Sequence, residues 1–306
     1  MKTRKLGRSD LDVSEVSLGC MSIGTEISHA KKVIEAALDG GINYLDTADL
    51  YYQGVNEELI GEIIKGKRND IILATKAGNR FEQGKEGWSW DPSKKHIMTA
   101  VKDSLRRLQT DYIDLYQLHG GTIEDNIDET IDAFEELKKE GVIRYYGISS
   151  IRPNVIREYV KRSSIISIMM QYSLLDRRPE ELFSFLEENE ISVVARGPVA
   201  KGLLTDRTLE TMSDTIKEKG YLYYSYEELV SLRSKLEHEL LDGRPLQALA
   251  LQYCLNSPVV ASVVTGASSA EQVKENIRSI ESFDVSNDEI AWLKQVTKLE
   301  LYEQHR

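Results

Sequence analysis

The chain has 306 residues, 41% of them hydrophobic and 8% aromatic, enough to bury a large core, and its formal net charge is -11. That balance argues against nucleic acid or an anionic membrane surface as partner, because such polyanions recruit proteins through clustered Lys and Arg. The two cysteines, Cys20 and Cys254, lie far apart with no CxxC or Cys/His cluster, which speaks against a disulfide framework and a zinc site and fits a reducing compartment.

The basic start MKTRKLGRSD has no apolar run behind it and does not read as a secretory signal, and no apolar stretch is long enough to span a bilayer. A cytoplasmic location is expected. From there, short β-branched runs alternate with longer amphipathic segments. Val16-Ser17-Leu18 reads as a strand. Ser28 can cap a helix through Leu38 that stops at Gly40-Gly41, and residues 43–46 read as the next strand. A helix around residues 56–65 leads to a strand at 71–74, and Asp91-Pro92 supplies an N-cap with proline at the first helical position for a helix reaching Leu108. Residues 113–118 form a strand, a helix from near Ile127 ends at Gly141, and a strand runs through Gly147-Ile148. Pro153 opens a helix, residues 165–170 are a strand, Pro179 opens another helix, and residues 191–195 and 259–264 are the last two strands. About eight strands, each followed by a helix, point in a chain of this length to a closed parallel (β/α)8 TIM barrel occupying residues 1–306 as one domain, with a doubly wound open sheet as the rival.

Two segments interrupt the rhythm after strands, residues 78–91 and 204–226. In a barrel such loops surround the mouth, so Trp88 and Trp90 in the first are candidate substrate walls. Tyr221, Tyr223, Tyr224 and Tyr226 in the second suit local packing as well as a lid.

Four polar residues stand just past the ends of apolar runs: Asp46 and Tyr51 in YLDTADLYY, Lys76 in ILATK and His119 in YQLH. Each alone has an ordinary explanation, as a turn cap, a surface ring, a solvated charge or a hydrogen-bonded rim histidine. Barrel closure brings all four to the rim where barrel enzymes assemble their sites, and their joint occurrence reverses the odds. Hydride delivery to a carbonyl carbon leaves negative charge on oxygen that a proton donor must neutralise. A tyrosine keeps its proton near neutrality, and a neighbouring ammonium favours the phenolate left behind. In this reading Lys76 supplies the ammonium, Asp46 holds it in place, and His119 orients the substrate oxygen.

No GxGxxG follows a strand, which counts against a Rossmann dinucleotide site. Barrels commonly hold phosphates with the loops after strands 7 and 8. Here these are Arg196-Gly197-Pro198-Val199-Ala200-Lys201-Gly202-Leu203 and Thr265-Gly266-Ala267-Ser268-Ser269, the second leading into a helix whose free N–H groups can face an anion. Ordinary glycine-containing turns are an equal alternative on these residues alone.

The blocks YLDTADLY, ATK, DYIDLYQLH, ELKKEGVIRYYGISS and GASSAEQVKEN stand in the order found in the aldo-keto reductases, and nearly the whole chain resembles that family, its channel-subunit-like bacterial members included. The resemblance implies an oxidoreductase that uses NADPH, with NADH the lesser choice, to reduce a small aldehyde or ketone to an alcohol. It implies Tyr51, at the last position of the pattern DTAxxY, as proton donor, with Asp46, Lys76 and His119 completing a tetrad. It further implies Gly19, Met21 and Asp46 beside the nicotinamide, Ser149, Ser150 and Gln171 near its amide, and Ser268, Gln272, Glu275 and Asn276 near the adenosine end, with Gly197, Lys201, Leu203 and Gly266 in the cradling loops. Three positions depart from the common pattern. Ser150 stands where many members have Asn, Arg196 stands where an aromatic ring usually stacks on the nicotinamide, and Ser268, Ser269 and Gln272 stand where Arg or Lys often meets the 2′-phosphate. A guanidinium beside an oxidised, positively charged nicotinamide is unfavourable, so Arg196 is expected to favour the reduced cofactor. The alternative function is an NADPH-binding regulatory or sensing protein that keeps the reductase fold; an isomerase or dehydratase on the same barrel is disfavoured by the tetrad.

Overall fold

The computed structural model describes residues 1–306. Eight strands, β1 (Val16–Gly19), β2 (Tyr44–Asp46), β3 (Ile72–Ala77), β4 (Ile113–Leu118), β5 (Ile143–Ser149), β6 (Ser167–Gln171), β7 (Ser192–Arg196) and β8 (Val260–Gly266), pair in parallel and in sequential order to close a barrel. The register aligns the strand ends that matter. Gly19 pairs with both Gly266 and Asp46, and Lys76 pairs with Gln117. The open-sheet alternative is excluded by this closure.

The outer ring is formed by α1 (Ile27–Asp39), α2 (Val55–Ile63), α3 (Lys94–Leu108), α4 (Ile127–Glu140), α5 (Pro153–Arg162) and α6 (Glu180–Glu188). It continues with α7 (Asp214–Lys219), α8 (Tyr226–Leu236), α9 (Leu246–Leu255), α10 (Ala270–Glu281) and α11 (Asn287–Val296). The reason these stretches are helical is visible in α5. Val155, Ile156, Tyr159 and Val160 recur on one face and are buried, Pro153 occupies the first turn, and Lys161 and Arg162 sit at the negative end of the helix dipole. Each fully buried aliphatic side chain of this kind contributes about 1.5–3 kcal/mol of transfer free energy.

Two expected caps fall elsewhere. Glu26, not Ser28, caps α1, its carboxylate accepting from the N–H groups of Ser28 and His29. An anionic cap complements the helix dipole better than a hydroxyl. For α3 the cap is Ser93, two residues beyond Asp91, and Asp91 instead accepts from the Ser93 N–H. The interruption after β3 is a small antiparallel hairpin of Asn79–Arg80 and Ser89–Trp90 rather than an irregular excursion. Of the tyrosine cluster, Tyr221 and Tyr224 are buried and bridge each other, while Tyr223 and Tyr226 are half-buried.

A second hairpin, Thr3–Lys5 with Asp12–Ser14, closes the barrel at the N-terminal ends of the strands. Leu6, Leu11 and Val13 join Tyr44, Ala74, Leu115 and Val194 in the barrel interior. Gly7 makes this seating possible: at φ +54 its Cα lies so close to the Ile166 carbonyl that a Cβ would sit 2.2 Å from the oxygen. The larger apolar layer lies between the strands and the helices. No helix is long and apolar enough to cross a membrane.

Candidate active site

Asp46 ends β2 and Lys76 lies near the end of β3, and closure of the barrel brings them together in its interior. Lys76 Nζ donates to Asp46 Oδ2 at 2.6 Å and to the Thr47 carbonyl at 2.7 Å, and Lys76 is only 1% exposed. From the neighbouring strand β4, Gln117 Nε2 donates to the other carboxylate oxygen, Asp46 Oδ1, at 3.3 Å. Burial works to lower the Lys76 pKa, but Asp46, with a contribution from Tyr51, more than reverses this and holds the ammonium above its ordinary range. A buried charge pair is tolerable only when its remaining hydrogen-bonding positions are filled, and Thr47 and Gln117 fill two of them.

Tyr51 follows in a short turn after β2. Tyr52 and Gln53 there adopt left-handed backbone, φ 50 and 53, which turns Tyr52 out to solvent at 51% exposed while Tyr51 stays mostly buried. Of the two adjacent tyrosines, Tyr51 is the one beside Lys76 and His119. Gln53 anchors the turn to the tip of the Asn79–Arg80/Ser89–Trp90 hairpin by donating to the Lys85 carbonyl and accepting from the Gly84 N–H. Lys76 Nζ lies 5.2 Å from the Tyr51 ring centre. Burial pushes the Tyr51 phenol above its usual range, with the Lys76 charge working against that rise. The His119 ring stands edge-on to Tyr51, 6.0 Å between centres at 84°. Burial, then the charges of Lys76 and Arg196, pull His119 down to about 3, so its imidazole is neutral at physiological pH. Its Nδ1 is buried without a hydrogen-bond partner, which leaves Nε2 as the ring nitrogen available to the cavity.

That cavity, about 320 Å³, runs from His119 past Trp88 and Trp90 to Ser149, Ser150, Arg152 and Arg196. Trp90 is held rigidly. Its indole N–H donates to the Asp125 carboxylate at 2.9 Å, and its ring is packed so tightly on Gly78 and Gly120 that a Cβ at Gly78 would fall 2.8 Å from it. Trp88 is 59% exposed at the opening.

The loops after β7 and β8 form a more open rim. Arg196 donates to Gln171 Oε1 at 3.3 Å, and Gln171 Nε2 donates in turn to Asp176 at 2.9 Å and to the Tyr221 hydroxyl at 3.4 Å. Gly197 at φ +68 and Lys201 at φ +58 bend the first loop, leaving Lys201 exposed and Leu203 buried. In the second, Gly266 and Ser268 are exposed, Ser269 caps α10, and Gln272 Oε1 accepts from the Ser268 N–H at 2.8 Å. Glu275 is exposed, whereas Asn276 is buried and its side-chain carbonyl accepts from Gln247. Gly19 meets this rim through its pairing with Gly266, and Met21 is 55% exposed beside it.

The four tetrad candidates thus lie side by side, Ser149, Ser150 and Arg196 share the cavity that His119 lines, and the remaining rim residues belong to the loops after β7 and β8. Sequence reasoning missed Gln117, Asn79, Arg152 and His29. Gln117 had a readable signal, a lone amide inside an apolar strand two positions before His119. Asn79 is a buried polar residue of the cavity wall, Arg152 stands at the start of α5, and His29 Nε2 meets the Ser268 carbonyl at 2.8 Å; these depend on tertiary neighbours.

A parallel barrel with this cluster at the C-terminal ends of its strands is the architecture of a barrel oxidoreductase. The match to the aldo/keto reductase family covers residues 15–298, and the chain belongs to that family. It is 62% identical over the full length of both chains to the uncharacterized oxidoreductase YqkF of Bacillus subtilis. It superposes on the holo form of aldo-keto reductase AKR11C1 from Bacillus halodurans with a TM-score of 0.95 at 62% identity, covering 100% of this chain and 99% of the other. It is also 30% identical to an NADH-specific methylglyoxal reductase of Escherichia coli, over 92% of this chain and 94% of that one.

Proposed function

We propose that the protein, acting as one domain, reduces an aldehyde or ketone to an alcohol with a nicotinamide cofactor, NADPH in preference to NADH, and that Tyr51 is the proton donor. The observation that carries this reading is the Lys76 ammonium, buried, paired with Asp46 and 5.2 Å from the Tyr51 ring.

The residues present suit a dinucleotide. The ends of β7 and β8 offer backbone left bare by Gly197 and Gly266, the cations Arg196 and Lys201, and the free N–H groups at the start of α10, a combination that meets a pyrophosphate and a ring amide. Ser149, Ser150 and Gln171 would hold the amide end, Gly19 and Met21 the ring face, and Ser268, Gln272, Glu275 and Asn276 the adenosine end. Bound there, the reduced cofactor supplies the hydride for the carbonyl carbon.

The chain's own residues do the rest. Neutral His119 donates a hydrogen bond from Nε2 to the carbonyl oxygen and sets its orientation. The Tyr51 hydroxyl, kept protonated by burial, delivers its proton to the same oxygen as negative charge develops. Lys76 then stabilises the phenolate, and Asp46 keeps Lys76 charged and aimed. Such a proton transfer contributes about 10²- to 10⁴-fold. The test follows NADPH absorbance with a panel of aldehydes, quinones and sugars for the wild type and Tyr51→Phe. Saturable consumption that drops by that factor in the variant, with cofactor affinity retained, supports the reading. Tight NADPH binding with no turnover of any compound favours the sensing alternative, and faster turnover with NADH overturns the cofactor preference.

A further inference from the structure

We infer that the carbonyl substrate carries an anionic group, a carboxylate, read by Arg152 across the cavity from His119, with the charge of Arg196 adding to the field. This deepens the reductase reading and rests on it.

The charge distribution is the starting point. The chain has 50 Asp and Glu against 39 Lys and Arg, yet the cavity wall contains two guanidinium groups and not one carboxylate. The nearest acids are turned to structural use. Asp91 is paired with Arg80 at 2.6 Å, and Asp125 is taken by the Trp90 indole and by both the N–H and the hydroxyl of Thr122. Neither Arg152 nor Arg196 belongs to any of the ion pairs of the fold. Arg152 donates through one nitrogen to the Gly121 carbonyl, and Arg196 donates to the Gln171 side-chain carbonyl, so each keeps most of its five N–H donors and its full charge.

Arg152, held at one end by a neutral acceptor and left unneutralised, is suited to a planar carboxylate, which a guanidinium fork binds through two parallel hydrogen bonds, and Arg196 adds positive charge nearby. The cavity geometry adds the rest of the pharmacophore. In the proposed reduction His119 marks where the carbonyl oxygen lies, Trp90 is a fixed apolar plate for the carbon skeleton between, and a volume near 320 Å³, bounded on one side by the proposed cofactor contacts Ser149, Ser150 and Arg196, leaves room for a small molecule. The downward pull of Lys76 and Arg196 on His119 agrees with a positive field across this space.

Arg152 has no part in the proposed cofactor contacts and carries the test. The probes are 4-carboxybenzaldehyde and its uncharged methyl ester, compared as kcat/KM in the wild type, in Arg152→Gln and in Arg152→Lys. The wild type is expected to prefer the acid at least tenfold, and this ratio is expected to fall about tenfold or more in Arg152→Gln and less in Arg152→Lys, which keeps the charge without the fork. A second measurement needs no variant: raising salt from about 0.05 to about 0.5 M should lower kcat/KM for the acid more than for the ester, because only the former is steered by charge. Equal or better turnover of the ester by the wild type overturns the inference while leaving the reductase reading intact. Loss of both substrates' turnover in the wild type would remove the inference together with its foundation.

Discussion

On the β2–β4 side of the barrel mouth, Asp46, Lys76 and Gln117 are buried and bonded to one another. On the β7–β8 side, Arg196, Lys201, Gly266 and Ser268 are exposed, and Arg196 and Ser268 bond to nearby side chains of their own rim. The first side is organised by desolvation, which makes every unpaired charge costly and so fixes each partner. The second faces solvent and is organised by backbone turns. Chemistry that needs a proton held at one place belongs to the first kind of surface, and capture of a long, flexible, charged molecule to the second.

The contrast breaks most visibly at Lys76. Lys76→Met leaves the Asp46 carboxylate buried without its ion partner, and a loss of about 3–5 kcal/mol is expected in urea unfolding, partly recovered by adding Asp46→Asn. A loss under about 1 kcal/mol would mean that water reaches the pair and that the two sides differ less than described. Next comes Gln117→Leu, which removes a hydrogen bond to a charged group. A cost of about 1.5–3 kcal/mol is expected, together with a lower kcat at little-changed KM, since Gln117 acts through Asp46.

His119 supplies a pH-dependent test. Its native pKa lies at about 3, below an unfolded value of about 6.5, so between those limits the unfolded chain binds a proton that the native chain refuses. Stability therefore falls as pH drops through this window, by about 1.4 kcal/mol per unit from this group alone. His119→Gln should remove that increment from the difference between denaturation midpoints at pH 7 and pH 5; identical slopes in both proteins would show that the ring is charged or solvated in the native state. The smallest effect belongs to the rim. Lys201→Ala should change stability by no more than about 0.5 kcal/mol while weakening NADPH binding several-fold at low salt, read by fluorescence titration. Within the same rim, Arg196→Tyr is expected to lower the ratio of NADPH to NADP+ affinity.

The same contrast explains what was legible in the chain. Strand β4 and the helix after it announce themselves by apolar runs and by the stop at Gly141, and Asp46, Lys76 and His119 stand out because each ends an apolar run. Gln117 is hidden in the sequence because strand patterning treats a central position as core, and only the pairing of β3 with β4 reveals that it faces Asp46. The cap of α1 is ambiguous in sequence because a carboxylate at Glu26 and a hydroxyl at Ser28 are both good acceptors, and the backbone geometry chooses between them. The Asn79–Arg80/Ser89–Trp90 hairpin was unreadable for a different reason. Its short strands are fixed by Trp90, which is fixed by Asp125, 35 residues further on.

The hairpin that stops the barrel from below has a bearing on the order of assembly. Its Leu6 rests among side chains contributed by segments as distant as Tyr44 and Val264, and Gly7 donates to Ser192 on β7. This early segment thus acquires its lodging only after strands far along the chain have formed and the cylinder has shut. A probe on Leu6 would report ring closure itself.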